Sequence, residues 1–289
     1  MISISAIITT HNRSCLLARA IESVLSQTYN IIECIVVDDG STDDTMELCN
    51  KKNVKYIYIP PEESKGGNYA RNLGIRHAKG QYVAFLDDDD EWFPTKIEEQ
   101  IKLALEKRSS LVYCLRIYKD YNKDQYLGTR KESDRKPSGY LEKSIFRHYI
   151  TNTSCILAQK EAIEIVGGFD ENLRKWQEYD LMIRMAQITN IYYVNKYLCY
   201  YTNNINGGNR ISNDYDRLLP TINYFKKKYA DRIKKLSVRD RLYFHEMCIG
   251  DVYKLARQTG RHFTRFTLFF PYTILYILKK IDIAFQRNN

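Results

Sequence analysis

Five consecutive carboxylates, Asp87 to Glu91, lie between two apolar stretches of the chain, YVAFL before them and WFP after them. Like charges this close repel, and ionised carboxylates beside apolar side chains are costly unless a partner compensates them. Aspartate oxygens are ligands that hard cations such as Mg²⁺ and Mn²⁺ prefer, and such cations often share a substrate's phosphates. The run therefore predicts either a solvated acidic loop or a divalent-metal site.

The acidic run follows a predicted strand, which limits how many of its side chains can point the same way. Side chains alternate along a strand, so Asp87 and Asp89 are expected on one side and Asp88 and Asp90 on the other. Only one of these pairs can then face a cleft. A cation held there would lower the repulsion and neutralise a departing diphosphate.

Two further segments carry groups that suit a nucleotide. Asp39 follows an apolar strand, and its carboxylate could accept the N–H of a uracil base. Residues 65–72 combine glycine backbone with Lys65 and Arg71, which suit phosphate contacts, although a plain surface position for Arg71 is equally compatible with the sequence. The chain contains neither the GxxxxGKS/T phosphate loop nor a GxGxxG turn after a strand, which argues against NAD or FAD as ligands.

A third segment, WQEYDLMIRM, is predicted to begin a helix near Glu178. Acidic residues in the first turn of a helix are usually only favourable partners of the helix dipole. A carboxylate beside Trp176 and Tyr179 could instead have a raised pKa and act as a general base. Asp180 lies on a different face of the same helix, and the sequence leaves open which of the two carboxylates is the base.

Strands and helices alternate through the first part of the chain. Apolar, β-branched runs predict buried strands, with helices between them, at residues 2–9, 33–37, 54–59, 81–86 and 111–118. This pattern is typical of a parallel sheet covered on both faces, where ligands bind beyond the carboxyl ends of the strands. Thr9 to Asn12, Asp39 and the acidic run all follow strands, so their placement favours a binding site over a solvated loop.

The remaining elements are predicted from shorter patterns. Asn12 or Ser14 is expected to cap the first helix, and the polar residues 119–139 predict a mobile loop or a hairpin. Beyond these, strands are expected at 152–158 and 190–201, helices at 160–169 and 178–187, and mostly helix after residue 208.

The positive charge of the chain lies in its last quarter. The 289 residues carry a formal net charge of +9, and residues 221–289 hold 15 Lys and Arg against 5 Asp and Glu. The apolar run 266–278 beside this basic stretch predicts either contact with an anionic membrane surface or a core helix. It is too short to span a bilayer.

The cysteines and the first residues of the chain predict the cellular compartment of the protein. The seven cysteines are scattered singly, which predicts reduced thiols in a cytoplasmic protein. The opening segment MISISAIITT lacks the basic region of a signal peptide and predicts a strand. The basic tail contains no recognisable nucleic-acid module, so nucleic acid is not expected as a partner.

Four segments in order resemble family 2 glycosyltransferases of the GT-A fold: SAIITTHNR, VVDDGSTDDT, ARNLGIRHAKGQYVAFLDDDD and WQEYDLMIRM. The resemblance covers residues 2–205. It implies the α/β GT-A nucleotide-diphospho-sugar transferase fold, with a mostly parallel central sheet flanked by helices. It also implies a nucleotide-diphosphate sugar as donor, Mn²⁺ or Mg²⁺ as cofactor, and transfer with inversion.

The resemblance assigns roles to individual residues. The D-x-D motif falls on residues 87–89, where Asp89, together with Asp87, is expected to hold the metal and Asp87 also the ribose. The uracil-binding aspartate falls on Asp39, and the acidic general base falls on Glu178. The other residues expected to contact the nucleotide are Thr9, His11, Asn12, Arg71 and Asp88.

Two departures from the family pattern affect these expectations. Relatives often carry a His in the region of YYTNNINGGNR that contacts diphosphate or metal, whereas here Thr202, Asn203 and Arg210 are the candidates. Lys65 and Arg210 are the expected diphosphate contacts. The Q/RxxRW signature of processive synthases is missing, so transfer of one sugar per encounter is expected.

The combined expectation is a catalytic domain over residues 1–209 and a helical, basic C-terminal extension over residues 210–289. The domain would move one sugar, from a UDP-sugar, to a hydroxyl of a glycan or lipid-linked acceptor in bacterial polysaccharide assembly at the inner face of the cell membrane. A catalytically inactive sugar-nucleotide-binding protein is the alternative. The extension is expected either to contact an anionic membrane or to form a homodimer.

Overall fold

The computed structural model of the chain describes residues 2–122, 125–204 and 215–287. The chain divides into two compact units. The first unit comprises residues 1–141, 150–172 and 177–207, and the second comprises residues 142–149, 173–176 and 208–289.

A nine-stranded sheet, counted over the described residues, forms the centre of the first unit. Its main path runs in the order β3-β2-β1-β4-β8-β6-β9-β5, and β7 pairs with β6. The strands are β1 (Ile4–Thr10), β2 (Glu33–Asp38), β3 (Lys55–Tyr58), β4 (Tyr82–Asp87), β5 (Glu91–Trp92), β6 (Leu111–Asn122), β7 (Gln125–Lys131), β8 (Ile156–Gln159) and β9 (Ile191–Asn204).

The first four strands are parallel, as their apolar runs predict. Residues of β1 and β4 are buried along almost their whole length, because helices cover both faces of this half of the sheet. The other half is mixed. Strand β8 runs antiparallel to both β4 and β6, and β9 runs parallel to β6 but antiparallel to β5. The sheet is therefore parallel only over β1 to β4 and in the pair β6–β9.

The helices of the first unit are α1 (Ser14–Leu25), α2 (Thr45–Lys51), α3 (Gly67–His77), α4 (Lys96–Lys107), α5 (Lys160–Ile165) and α6 (Gln177–Met185). Helix α3 lies very close to the sheet, because Gly74 faces Ile7 and Val37; a Cβ there would come within 2.6 Å of the Ile7 Cγ2 atom. The predicted cap of α1 is wrong. Arg13 occupies the cap position but its side chain makes no capping hydrogen bond, and Ser14 is already helical.

Several predicted boundaries change in the structure. The polar segment 119–139 begins as a hairpin, since β6 continues to Asn122 and pairs with β7. The strand predicted at 152–158 starts only at Ile156, after a 3₁₀ turn at Thr153–Cys155. The segment 190–201 is a single long strand, β9, that is bulged where it pairs with Cys114 and Leu115.

The second unit is helical in its described part. Its helices are α7 (Tyr215–Lys228), α8 (Ala230–Lys234), α9 (Val238–Gln258) and α10 (His262–Arg287). Aromatic side chains fill its interior: the ring of Phe225 contacts those of Trp176, Tyr229 and Phe244 at centroid distances of 5.4, 4.7 and 6.0 Å. No helix in the described residues has both the length and the apolar character that crossing a bilayer requires.

All seven cysteines are free thiols in the structure. Cys15, the second residue of α1, is exposed, and the other six are buried. Burial raises the pKa of Cys34 and of Cys248 to about 12, so these thiols stay protonated at neutral pH.

Candidate functional site

The loops after β1, β2 and β4 meet at one edge of the sheet. In the parallel register Thr10 lies opposite Asp38, and Thr9 lies opposite Asp87. The segments that carry His11, Asp39 and the acidic run therefore emerge side by side. This is the convergence that parallel strands impose at their carboxyl ends.

The aspartates of the acidic run alternate in burial. Asp88 and Asp90 are 5% and 1% exposed. The side chains of Asp87 and Asp89 are 29% and 13% exposed. Only the second pair is therefore open to a ligand, and the two buried carboxylates must be held by the protein itself.

Asp90 is held by donors from distant parts of the chain. Its Oδ2 atom accepts hydrogen bonds from Ser154 Oγ at 2.5 Å and from Asn152 Nδ2 at 3.2 Å, and its Oδ1 atom accepts one from the backbone N–H of Thr202 at 2.9 Å. The Thr202 hydroxyl also donates to the backbone carbonyl of Asp89. Burial, with Asp89 and Asp87 nearby, raises the pKa of Asp90. Asp90 therefore anchors the acidic run to these distant parts of the chain.

Asp88 is tied to the loop after β1. Thr10 Oγ1 donates to Asp88 Oδ2 at 2.9 Å, and Arg13 Nη1 donates to Asp88 Oδ1 at 3.1 Å. The same Arg13 nitrogen lies 3.5 Å from Asp89 Oδ2, so one guanidinium is shared by two neighbouring carboxylates. Burial and the charge of Asp89 raise the pKa of Asp88 to about 6, against the lowering effect of Arg13 and Thr10.

Asp87 is paired with Arg71 of helix α3. Arg71 Nη2 lies 2.7 Å from Asp87 Oδ1, and Arg71 Nη1 donates to Asn68 Oδ1 at 3.3 Å. The guanidinium also lies over the ring of Phe169, 5.6 Å from its centroid. Arg71 is only 8% exposed, so the alternative that it is a plain surface residue is wrong. Within the described residues no group hydrogen-bonds to Asp87 Oδ2, which leaves that oxygen for a ligand.

Asp39 has a buried oxygen whose hydrogen-bonding capacity is unused. Within the described part of the chain, Asp39 Oδ1 has no hydrogen-bond partner. Leaving a buried acceptor unsatisfied costs about 1–3 kcal/mol. The neighbouring Asp38 differs, since its carboxylate accepts from Tyr56 Oη at 2.7 Å and from the Ser41 N–H at 2.9 Å. The unused atom of Asp39 suits a donor that arrives with a ligand, such as a base N–H.

His11 and Asn12 join the first two loops. His11 Nδ1 donates to the Asp39 carbonyl at 2.7 Å, and the Asn12 backbone N–H donates to Ser41 Oγ at 2.7 Å. Asn12 Oδ1 accepts from the Thr42 N–H at 2.7 Å. Asn12 has a φ of 52°, in the left-handed region that asparagine tolerates better than most residues. Both residues are exposed and fix the loop that carries Asp39.

The two acidic residues of α6 have different surroundings. Asp180 is fully buried, and its Oδ2 atom accepts from Arg184 Nε at 2.9 Å and Nη2 at 2.6 Å. Glu178 is 5% exposed and lies in the first turn of α6. The helix begins directly after Trp176, whose φ of 60° is rare for a bulky side chain. Asp180 is thus committed to an ion pair within its helix, which favours Glu178 as the reactive carboxylate.

The other predicted residues are placed as follows. Thr9 is partly exposed at the end of β1, and Lys65 is exposed, with its Nζ atom 4.9 Å from the centroid of the Tyr69 ring. Asn203 Nδ2 donates to Asp120 Oδ1 at 2.6 Å. Arg210 lies outside the described residues.

The residues present fit a divalent cation in their chemistry. Asp87 and Asp89 offer partly exposed carboxylate oxygens, the donors that Mg²⁺ and Mn²⁺ prefer. Among the described residues, no three His, Cys, Asp or Glu side chains converge on one point. A cation held here would therefore take its remaining ligands from substrate oxygens and water, as Mg²⁺ usually does.

The residues that hold the acidic run in place were not predicted from the sequence. Arg13 was present in the segment SAIITTHNR, but nothing in its local pattern relates it to Asp88, 75 residues later. Ser154 and Asn152 lie 64 and 62 residues from Asp90 and carry no motif of their own. The contacts of Ser154 and Asn152 with Asp90 depend on β8 lying beside β4, which the sequence does not specify.

Two curated proteins illustrate the sequence relationships of the chain. An uncharacterized glycosyltransferase of Rickettsia prowazekii is 34% identical over 194 residues, which cover 66% of this chain and 60% of the relative. The Escherichia coli protein WfaP, named UDP-Glc:alpha-D-GlcNAc-diphosphoundecaprenol beta-1,3-glucosyltransferase, is 48% identical over 99 residues, or 34% of this chain and 39% of WfaP. The chain thus spans about 60% of the length of the Rickettsia relative.

Solved structures share the fold at low sequence identity. The S. aureus protein TarS in complex with UDP-GlcNAc has a TM-score of 0.61 at 16% identity, covering 99% of this chain and 92% of the TarS chain. The mannosyltransferase PcManGT of Pyrobaculum calidifontis, in complex with GDP-Man and Mn²⁺, has a TM-score of 0.62 at 16% identity, covering 89% and 74%. These likenesses confirm the predicted GT-A fold.

The sequence model of glycosyl transferase family 2 matches residues 5–166. The match includes β1 to β4, the acidic run and Arg71, and it extends over more than half of the chain. The chain therefore belongs to glycosyl transferase family 2.

Proposed function

We propose that this protein transfers a single sugar from a nucleotide-diphosphate donor, a UDP-sugar, to a hydroxyl group of a glycan or lipid-linked acceptor. The observation that carries the proposal is the position of Asp39, with its unused buried oxygen, at the same sheet edge as the open carboxylates Asp87 and Asp89. A base acceptor and a cation-binding pair side by side match the two ends of a nucleoside diphosphate.

The protein side of the reaction follows from these residues. Asp39 would bind the uracil N–H, and the loop fixed by His11 and Asn12 would hold Asp39 in place. Arg71 would keep Asp87 oriented through the 2.7 Å contact. Asp87 and Asp89 would hold Mn²⁺ or Mg²⁺, which when bound would balance the negative charge of the diphosphate.

Glu178 would act as the general base. Its carboxylate would take the proton of the acceptor hydroxyl while that oxygen forms a bond to the anomeric carbon of the donor sugar. The bond between the anomeric carbon and the diphosphate oxygen would break in the same step, so the nucleoside diphosphate leaves with the bonding electrons. A single displacement of this kind inverts the configuration at the anomeric carbon.

The relatives support the choice of donor and acceptor. WfaP is named for a UDP-glucose donor and a diphosphoundecaprenol-linked acceptor, and TarS was solved with UDP-GlcNAc. PcManGT was solved with GDP-Man and Mn²⁺, which supports a divalent cation but allows another nucleotide. We therefore favour a UDP-sugar donor and a lipid-linked acceptor in polysaccharide assembly, with the working enzyme at a membrane surface.

A donor screen tests the proposal directly. Thermal unfolding is measured with UDP-, GDP- and dTDP-sugars, each with and without Mn²⁺, because a ligand that binds only the folded chain raises Tm. The sugar nucleotide that raises Tm is then assayed for hydrolysis and for transfer to lipid-diphosphate and soluble glycan acceptors. Metal-dependent turnover supports the proposal. Binding without any turnover over the acceptor set would point to the inactive sugar-nucleotide-binding alternative.

A further inference from the structure

Helix α10 of the second unit packs against α9 with its polar side chains. Lys279 Nζ lies 2.7 Å from Glu246 Oε2, and Asp282 Oδ2 accepts from Arg239 Nε at 2.9 Å and from Tyr243 Oη at 2.8 Å. Residue numbers rise along α10 as they fall along α9, so the two helices are antiparallel. Ion pairs and tyrosine side chains therefore contribute to the contact between α10 and α9.

The opposite face of α10 is apolar and exposed. Its residues recur at helical spacing of three and four, which places them in one stripe along the helix. We call this set the outer stripe; its members and exposed fractions are Phe266 72%, Phe269 47%, Phe270 65%, Ile274 57%, Ile277 50%, Leu278 45% and Ile281 60%.

The exposed stripe differs from the apolar face of a helix that packs on a protein core. Such a helix turns its apolar stripe inwards and its charged residues to water. A contiguous apolar surface of this kind on a water-soluble protein usually marks contact with a membrane or with another protein. The outer stripe therefore needs a partner that covers it.

The net charge of residues 215–287, which include α10, favours an anionic membrane over a second protein as this partner. Residues 215–287 contain 16 Lys and Arg and 6 Asp and Glu, a difference of +10. Lys280 is exposed next to the stripe, with its Nζ atom 5.4 Å from the centroid of the Tyr276 ring. Two copies joined through this face would bring two such charges together, whereas anionic lipid headgroups would attract them.

We propose that the outer stripe of α10 lies in the interfacial region of an anionic bilayer, parallel to its surface. The helix has 26 residues, with Pro271 among them, and 26 helical residues extend about 39 Å at 1.5 Å per residue, long enough to lie along a membrane surface. Apolar side chains enter the boundary of the acyl chains while Lys and Arg stay at the headgroups. The inference deepens the proposed function and rests on it for the lipid-linked acceptor.

Vesicle flotation of the full chain tests this surface. The vesicles are phosphatidylcholine mixed with phosphatidylglycerol, or phosphatidylcholine alone, at low and at high salt. The test variant carries Phe270→Ser, Ile274→Ser and Ile277→Ser, which change only exposed side chains. The matched control carries Leu25→Ser, Leu105→Ser and Ile165→Ser, three comparably exposed apolar residues of the first unit, at 53%, 53% and 67%.

The expected result is flotation of the wild type and the control with anionic vesicles, weakened by high salt because screening shortens the reach of the basic charge. The test variant should bind at least about tenfold more weakly, since binding depends on the apolar area that enters the bilayer. No flotation of the wild type at low salt, or equal flotation of the test variant, overturns the proposal. A wild-type dimer in sedimentation velocity that the test variant dissolves would overturn it in favour of a second copy.

Turnover on a water-soluble acceptor is measured on the same preparations. An active enzyme that ignores vesicles would refute the membrane surface and leave the proposed sugar transfer intact. A chain that floats but turns over no sugar nucleotide would refute the proposed function and leave the membrane surface intact.

Discussion

Asp88 provides a test of the electrostatics of the site in the protein without metal. Its carboxylate is 5% exposed and lies beside three other aspartates, with the Arg13 guanidinium shared between Asp88 and Asp89. Burial and the charge of Asp89 raise the pKa of Asp88 from its ordinary value of 3.8 to about 6. We predict that, in the metal-free protein, the stability of Asp88→Asn relative to wild type rises as pH rises from about 5 to about 7.5.

The sign and size follow from linkage between protonation and folding. The folded state holds the Asp88 proton more tightly than the unfolded state does, so the stability that Asp88 contributes is complete below about pH 4. It is lost as pH rises through about 6, the pKa in the folded state. Each unit of difference between the folded and unfolded pKa values corresponds to about 1.4 kcal/mol, so the full loss of stability is about 3 kcal/mol. About half of this loss falls between roughly pH 5 and 7.5.

Urea unfolding in EDTA measures this effect at about pH 5 and about pH 7.5. The free energy of unfolding of Asp88→Asn, relative to wild type, should be higher at the upper pH by about 1–2 kcal/mol. Asp44→Asn, a substitution of an exposed aspartate, is measured under the same conditions as the control. A relative stability of Asp88→Asn that is equal at both pH values, or that falls as pH rises, would show that the Arg13 pair outweighs burial and would refute the reasoning.

The remaining predictions concern the reaction and the donor. Asp89→Asn should abolish turnover and metal-dependent nucleotide binding. Asp90→Asn should keep more activity but lower the free energy of unfolding by about 1–3 kcal/mol, because it disturbs three buried hydrogen bonds. Equal loss of activity in both variants would indicate a diffuse acidic patch. Glu178→Gln should leave donor binding unchanged and lower kcat at least about 10²-fold, the scale for losing a general base, and near-normal turnover would remove Glu178 from that role. Asp180→Asn should instead lower Tm, because it breaks the ion pair with Arg184. Loss of sugar transfer without any fall in Tm would reassign the role of general base to Asp180. Asp39→Asn should weaken UDP binding about 10–150-fold by calorimetry, the worth of a hydrogen bond to a charged group, and an unchanged Kd would show that the uracil lies elsewhere.

The parts of the fold that were predicted are those encoded in short stretches. The runs that became β1, β2 and β4 are mostly apolar, and each ends in polar residues, so both the strands and their common edge follow from local sequence. Asp39 and the acidic run could be assigned to that edge for the same reason.

The parts that were not predicted depend on contacts between distant residues. The sequence left open whether residues 119–139 form a mobile loop or a hairpin, because strand β7 is almost entirely exposed and its pairing with β6 leaves no apolar alternation to detect. The two-residue strand β5 exists only because Trp92 lies opposite Cys199 of β9. All of the outer stripe except Ile281 lies in the apolar run 266–278. The side of the helix that faces outwards is set by the partners on α9, which the run itself does not show.

The unequal burial of the thiols gives this protein a native position for chemical labelling. Cys15 is exposed, and it lies two residues after Arg13, the residue that contacts both Asp88 and Asp89. The other six cysteines are buried and shielded from reagents in the folded state. A maleimide dye would therefore attach to Cys15 in the unmodified sequence, and its emission could follow the arrival of nucleotide and cation in real time.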